Sequence, residues 1–385
     1  MSLYDVTPVS VDDYRRRARR RLPGFLFNYI EGGSNDEDTL AANVSDFSHY
    51  RLRQRVMRNV DSVDTGTTLA GRTASMPIAL APVGMAGMFA RRGETQAARA
   101  AKSVGIPFAT STVGICSVEE VGTAINQPFW FQLYMLRDRD LIERLLARAA
   151  AAGCDTLAFT VDLPVAGMRL RDYRNGMLGG GIPGKLSQLA QIVSSPLWAI
   201  DVGLKGKPHN FGNLSDVVPD PDDLDAYKAF IDAQFDPTVT WQDIAWLRTV
   251  WKGKLIIKGV LEADDARAAI DAGADGVVVS NHGGRQLDGV ASSISKLADV
   301  AAAVGDSTEV YLDGGVRSGI DVVKAVALGA NAVLIGRPWV YAMAARGETG
   351  VVDLLTLFQR EIATAMALMG VNRIDEINAD LIESA

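Results

Sequence analysis

The sequence predicts an α/β fold: a closed (β/α)8 TIM barrel with an N-terminal helical cap and a long insertion after strand 4. Three observations support it. Eight short, near-continuous apolar runs recur along the chain, at 78–82, 108–111, 129–134, 156–162, 255–258, 276–280, 310–313 and 332–335. Strands covered by helices on both faces require that pattern rather than strict alternation. Stretches of helical composition follow several of them, as at 94–104, 138–152, 262–272 and 318–328, closed by Gly105, Gly153, Gly273 and Gly329. Finally, 385 residues accommodate a barrel of about 250 residues plus additions. A doubly wound open sheet is the rival architecture, and a count of eight weighs against it.

Taken in chain order, Ser10 with Asp13 three residues on reads as a capping box opening a helix, which Pro23 interrupts and Gly32-Gly33 ends after Ile30. Residues 1–75 then form a helical cap and lead-in, and 76–176 with 241–370 the barrel, within one domain spanning 1–385. Residues 177–240 break the strand–helix rhythm, with Gly179-Gly180-Gly181, Pro183, Pro196, Pro208, Pro219 and Pro221 among them. So long an insertion is functional or mobile. Inside it, residues 185–207 place Leu186, Leu189, Ile192, Val193, Leu197, Trp198, Ile200 and Leu204 between flanking lysines, while Pro196 and Asp201 prevent a simple span. A stripe with Trp at its edge and Lys at its ends suits a segment in a membrane interface, and a loop packed on a neighbouring subunit suits it equally. The arginines at 15, 16, 17, 19, 20 and 21 would meet anionic lipid or form a solvated helix face with Asp12 and Asp13.

Composition removes other classes. Lys plus Arg is 39 against 46 Asp plus Glu, a net charge of −7, so no global basic field exists to hold nucleic acid. Two cysteines, Cys116 and Cys154, build neither a disulfide framework nor a four-cysteine zinc site, and no metal is expected. The start Met1-Ser2-Leu3-Tyr4-Asp5 is unlike a secretory signal, and no uncharged apolar stretch is long enough to span a bilayer, so an intracellular location is expected.

In such a barrel the active site lies at the C-terminal ends of the strands. There the sequence places Pro82 with Gly84, Ser111, Gln132 with Tyr134, Thr160 with Asp162, Lys258, Ser280 with His282 and Arg285, Asp313, and Gly336 with Arg337. So many ionisable groups around one rim are costly unless they converge on a polar ligand. Asp313-Gly314-Gly315-Val316-Arg317 and Gly336-Arg337, after the seventh and eighth strands, read as a phosphate grip of backbone N–H groups and forked guanidinium donors. The Gly179-x-Gly181-x-x-Gly184 spacing formally matches a dinucleotide fingerprint, but Pro183 lies within it and no strand precedes it, so no nicotinamide domain is supported. Of three histidines, His282 alone stands at a strand end amid charged residues, with Asp162 placed to fix its tautomer as a general base requires. Lys258 has two readings, a counter-charge for an anionic intermediate or a Schiff-base amine.

The nonapeptide Ser280-Asn281-His282-Gly283-Gly284-Arg285-Gln286-Leu287-Asp288 resembles the signature of the FMN-dependent L-2-hydroxy-acid oxidases and dehydrogenases. Phe131-Gln132-Leu133-Tyr134, Thr160-Val161-Asp162, Ile257-Lys258-Gly259, Leu312-Asp313-Gly314-Gly315-Val316-Arg317 and Ile335-Gly336-Arg337 support the resemblance, which runs from Tyr14 to about Ile377. Within that family the chain is most similar to the bacterial respiratory L-lactate dehydrogenases, through Ala81-Pro82-Val83-Gly84, Met88-Phe89-Ala90-Arg91-Arg92-Gly93-Glu94, Phe235-Asp236-Pro237 and the insertion with Trp198.

The resemblance implies FMN, with its phosphate on Gly315, Arg317, Gly336 and Arg337 and its ribityl chain near Asp313. The ring would meet Pro82, Val83, Gly84, Ser111, Gln132, Thr160, Lys258 and Ser280, with Lys258 balancing the negative charge of the reduced ring. Arg285, Tyr29 and Arg169 would hold the substrate carboxylate and Tyr134 its hydroxyl, while His282 takes a proton and Asp162 stabilises the imidazolium. The implied reaction is L-lactate to pyruvate with electrons passed to quinone. The alternatives are an (S)-mandelate dehydrogenase and a soluble oxidase making hydrogen peroxide. A homotetramer or an octamer is implied by the same resemblance, and the Leu186 to Leu204 stripe suggests a peripheral place at the cytoplasmic side of the inner membrane, or else a cytoplasmic one. Val113 and Ala166 replace larger side chains of the plant oxidases, which implies a roomier pocket.

Overall fold

The structure, a computed structural model, describes residues 7–178, 180–215 and 233–384; Gly179, Pro219 and Pro221 of the insertion lie outside the described residues. Eight barrel strands are present: β1 (Ile78–Leu80), β2 (Ala109–Ser111), β3 (Phe129–Tyr134), β4 (Cys154–Thr160), β5 (Lys254–Val260), β6 (Gly276–Val279), β7 (Glu309–Asp313) and β8 (Ala332–Ile335). They form one parallel sheet in the order β1-β8-β7-β6-β5-β4-β3-β2, and a parallel bridge between Leu80 and Phe108 brings its two edges together. The apolar runs are explained by burial on both sides. Ala79, Trp130, Ile256, Val278, Tyr311 and Leu334 fill the barrel, while Ile78, Leu80, Phe129, Phe131 and Ile257 pack in the outer core. Each large side chain so buried contributes about 1.5–3 kcal/mol.

One end of the barrel is plugged. A hairpin of Thr67–Leu69 and Arg72–Ala74 turns through Ala70 (φ 49°) and Gly71 (φ 79°), the positive pair that a two-residue hairpin turn demands. Its Leu69 and Ala74 join the barrel interior, and the Ala70 amide donates to the Tyr311 hydroxyl at 3.2 Å. Only the opposite end, where the strands finish, is left to hold a ligand.

Helices α1 (Val11–Arg21) and α2 (Gly24–Glu31) form the cap on either side of Pro23, with the Ser10 hydroxyl accepting from the Asp13 amide, and α3 (Asp38–Ser45) leads onward. Helix α1 packs against the long C-terminal helix, which is kinked at Arg346 and Gly347.

The insertion contains α4 (Gly181–Val193), a short turn at Pro196–Trp198 and a π-helical segment at Ala199–Leu204. Ile182, Leu186, Leu189, Val193, Leu197, Ile200 and Leu204 are exposed. Trp198 corrects the sequence expectation, because it does not edge this face: it is buried, and its indole N–H donates to the Met88 carbonyl at 2.7 Å. Four residues apart on one helical face, Trp198 and Val202 both turn inward while Leu197, Ile200 and Leu204 turn outward. The basic face expected on α1 is also largely spoken for. Arg15 pairs with Glu31 (2.6 Å), Arg16 with Asp12 and Asp13, and Arg21 with Asp201 (3.0 Å).

Candidate active site

The strand ends open into a cavity of about 720 Å³. The sequence-predicted residues that line it are Tyr29 of α2; Pro82, Val83 and Gly84 after β1; Gln132 and Tyr134 of β3; Thr160 of β4; Arg169; Lys258 of β5; His282 and Arg285 after β6; Asp313, Gly315 and Arg317; and Gly336 with Arg337. Val113 and Ala166 line it too. Ser111, Asp162 and Ser280 stand one layer back, each bonded to a lining residue. Ser111 Oγ lies 2.8 Å from Gln132 Oε1, Asp162 Oδ1 2.8 Å from His282 Nδ1, and Ser280 Oγ 2.9 Å from Lys258 Nζ.

His282 occupies left-handed backbone (φ 58°), followed by Gly283 (66°) and Gly284 (73°). A bulky residue held there costs about 1–3 kcal/mol and persists only where its surroundings impose it. They do: the His282 amide donates to Ser280 Oγ (3.0 Å) and its ring stacks near Tyr134, with centroids 6.5 Å apart. Burial opposes ionisation of Asp162, but the His282 and Lys258 charges and the His282 hydrogen bond outweigh it, holding this carboxyl below its ordinary range. With Nδ1 committed to Asp162, Nε2 is the nitrogen left for a ligand.

Lys258 Nζ also lies 2.6 Å from Asp313 Oδ2. Burial alone would favour the neutral amine, but the Asp313 and Asp162 charges prevail and raise its pKa. A Schiff-base nucleophile needs the free amine, so the geometry favours the counter-charge reading.

Two pairs of like charges face the cavity. Arg285 and Arg169 both lie over the Tyr29 ring, at 4.8 and 5.4 Å from its centroid. Burial, then repulsion from Arg169, pushes Arg285 down to about 10. Arg169 moves the other way: burial is outweighed by Tyr29 and by Asp172, whose carboxylate is 3.7 Å away. In the second pair, burial and the Arg317 charge hold Arg337 below its usual range despite Tyr341 and Glu31. Arg337 donates to the carbonyls of Ile30 (2.8 Å), Gly283 (3.0 Å) and Gly32 (2.9 Å), which leaves two of its five N–H groups for a ligand. An anion between the members of each pair would relieve the repulsion.

The polar edge fits a flavin. Gln132 Nε2, Thr160 Oγ1 and Asp313 Oδ1 are buried without a hydrogen-bond partner among the described residues. Such groups cost about 1–3 kcal/mol each if left unmet. A ring with imide N–H and carbonyl groups on one edge and a hydroxylated chain on the other meets that donor and acceptor set.

The chain belongs to the FMN-dependent dehydrogenase family, whose model matches residues 18–384, and its cofactor is FMN. Among particular relatives, an L-lactate dehydrogenase of Caulobacter sp. (strain K31) is 54% identical over 97% of this chain and 98% of that protein. Another, of Stenotrophomonas maltophilia (strain R551-3), is 53% identical over 96% and 97%. Among solved structures the chain is similar to the monotopic membrane protein (S)-mandelate dehydrogenase, with a TM-score of 0.92 and 36% identity over 98% of this chain and 100% of that one. It is also similar to a mandelate oxidase, with a TM-score of 0.83 and 39% identity over 98% and 99%.

Several positioning residues escaped the sequence reading. Asn281 and Asn43 exchange side-chain amide hydrogen bonds at 2.8 and 2.9 Å, and Asp288 accepts the Thr39 amide at 2.8 Å, so the signature loop grips the lead-in to the barrel. Gln286 donates to the carbonyls of Asp162 (2.8 Å) and Val165 (2.9 Å), steadying the loop that carries Arg169. The signal was present for Asn281, Gln286 and Asp288, which are polar members of the signature with no chemistry assigned. Nothing in the sequence marked Asn43. At Gly315 (φ 83°) a Cβ would lie 1.7 Å from the Asn43 carbonyl oxygen, so only glycine fits beneath α3.

Proposed function

We propose that the protein oxidises L-lactate to pyruvate and passes the electrons to a quinone at a membrane surface. The observation that carries this reading is His282, backed by Asp162, facing the same cavity as two like-charged arginine pairs. One pair suits the substrate carboxylate and the other the cofactor phosphate. The relatives named L-lactate dehydrogenase favour lactate as the hydroxy acid.

Bound FMN supplies a two-electron acceptor. Gly315, Arg317, Gly336 and Arg337 hold its phosphate, Asp313 its hydroxylated chain, and Pro82, Val83, Gly84, Gln132 and Thr160 its ring, with Ser111 and Ser280 bracing Gln132 and Lys258 from behind. Lys258 would keep a positive charge beside the ring. Arg285 and Arg169 bind the substrate carboxylate with the Tyr29 hydroxyl. Burial, then the Asp162 charge, raises the Tyr134 pKa, so its hydroxyl stays neutral and donates to the substrate oxygen. His282 Nε2 takes the hydroxyl proton, and Asp162 stabilises the resulting imidazolium. In anaerobic stopped-flow, L-lactate is expected to bleach the visible flavin band; an unchanged spectrum refutes the reaction.

A second reading, an (S)-mandelate dehydrogenase, is favoured by Val113 and Ala166 on the cavity wall and by the mandelate-acting structural neighbours. The ratio of kcat/KM for the two acids decides between them. Membrane contact is supported by the exposed apolar face of the insertion and by the monotopic neighbour. No helix among the described residues is long and apolar enough to cross a membrane, so attachment would be peripheral.

A further inference from the structure

The cavity has walls that this chemistry does not use. Besides the rim residues, Phe25, Met88, Met177 and Phe211 line it, and α4 contributes Lys185 and Gln188. These walls are aromatic and thioether except at α4, where Lys185 is a donor and Gln188 Nε2 gives one N–H to the Gly176 carbonyl (2.6 Å) and keeps the second. The same helix carries Leu186 and Leu189 on its exposed side, 62% and 57% accessible. Cap and insertion are joined here, the Phe25 amide donating to Gln191 Oε1 (2.7 Å) and Trp198 to the Met88 carbonyl (2.7 Å). One helix therefore faces both the flavin cavity and the outer apolar surface.

We infer that this limb of the cavity binds the electron acceptor, and that the acceptor is a quinone with an apolar tail. The inference deepens the proposed function and rests on it. A flat ring with two carbonyl oxygens suits apolar walls closed by Lys185 and Gln188, and its tail would leave along the face of Leu186 and Leu189. The balance is complete: the Cα–H and O–H bonds of the hydroxy acid break as its C=O forms. Their two electrons and two protons convert the two quinone carbonyls to hydroxyls.

The test compares wild-type holoenzyme with Met177→Trp, which narrows the limb, and Gln188→Leu, which removes both amide N–H groups, the one bonded to Gly176 included. Decylubiquinone and ferricyanide serve as acceptors. Flavin reduction by L-lactate and reoxidation by ferricyanide are expected to keep their rates in both variants. Reoxidation by decylubiquinone should slow about 10-fold or more in Met177→Trp and about 2- to 10-fold in Gln188→Leu. Saturable quenching of tryptophan fluorescence by decylubiquinone should weaken in Gln188→Leu. Equal quinone rates in all three proteins overturn the assignment. Slower reduction by L-lactate in Met177→Trp also overturns it, because the limb then belongs to the substrate side chain. A wild type that L-lactate reduces but decylubiquinone cannot reoxidise refutes the quinone reading itself, and one that L-lactate cannot reduce refutes the proposed reaction.

Discussion

The barrel rim and the insertion solve opposite problems. At the rim, charges are buried and each is answered by another group: Lys258 by Asp313 and Ser280, His282 by Asp162, Arg337 by three carbonyls. Among the described residues of the insertion, seven large apolar side chains are turned to solvent while Trp198 and Val202 anchor the segment inward. The rim holds its geometry by electrostatics in a medium where unpaired charge is expensive. The insertion is anchored by these two side chains and by the bonds of Arg21 to Asp201 and of the Phe25 amide to Gln191, and its outer face stays apolar and exposed. The two regions are therefore separable, and variants can address one without the other.

The largest effect on flavin reduction is expected at His282. His282→Gln should retain FMN yet lose about 10²- to 10⁴-fold in the rate of reduction by L-lactate, read by stopped-flow absorbance. A rate like that of wild type would remove the rim from the chemistry altogether. Arg285→Lys comes next, because an ammonium cannot reproduce the guanidinium fork; the KM for L-lactate should rise by about 10- to 100-fold, with a smaller change in kcat.

Replacing Leu186, Leu189, Leu197 and Leu204 together by serine should abolish flotation with anionic lipid vesicles, since each buried leucine is worth about 1.5–3 kcal/mol, while flavin reduction is unaffected. Substitution sharpens the comparison better than removing 185–207, which would also pull Trp198 and Val202 out of the core. Retained flotation would detach the apolar face from any membrane role.

The smallest effect concerns stability. Asp162 titrates below its ordinary range in the fold. Its stabilising contribution is fully present above the unfolded value of about 3.9, and is lost as pH falls through the lower native value. The gap in urea midpoint between wild type and Asp162→Asn should therefore narrow below about pH 4. A gap that widens in acid would contradict the pairing with His282.

Much of the rim was legible because its chemistry is written in residue types. A lone histidine, a strand-end lysine and arginines beside glycines stand out in any sequence. The strands were legible because burial on both faces demands unbroken apolar runs such as Val277, Val278 and Val279. Trp198 was misread because composition gives a residue's affinity for an interface but not its direction. That depended on where Pro196 restarted the helix. Asn43 was invisible because its role arises only when a lead-in helix, 238 residues away in sequence, settles against Asn281. The side of the cavity formed by Phe25, Met177 and Phe211 was equally hidden, since cap, insertion and barrel meet there only after folding.

The carbonyl oxygen of Gly32 receives Arg285 (3.1 Å) and Arg337 (2.9 Å) at once. The turn that follows α2 is thus pinned at one atom by two buried arginines, and the cap cannot lift without releasing the two together. Loss of either guanidinium is therefore expected to loosen the segment on which the other also rests.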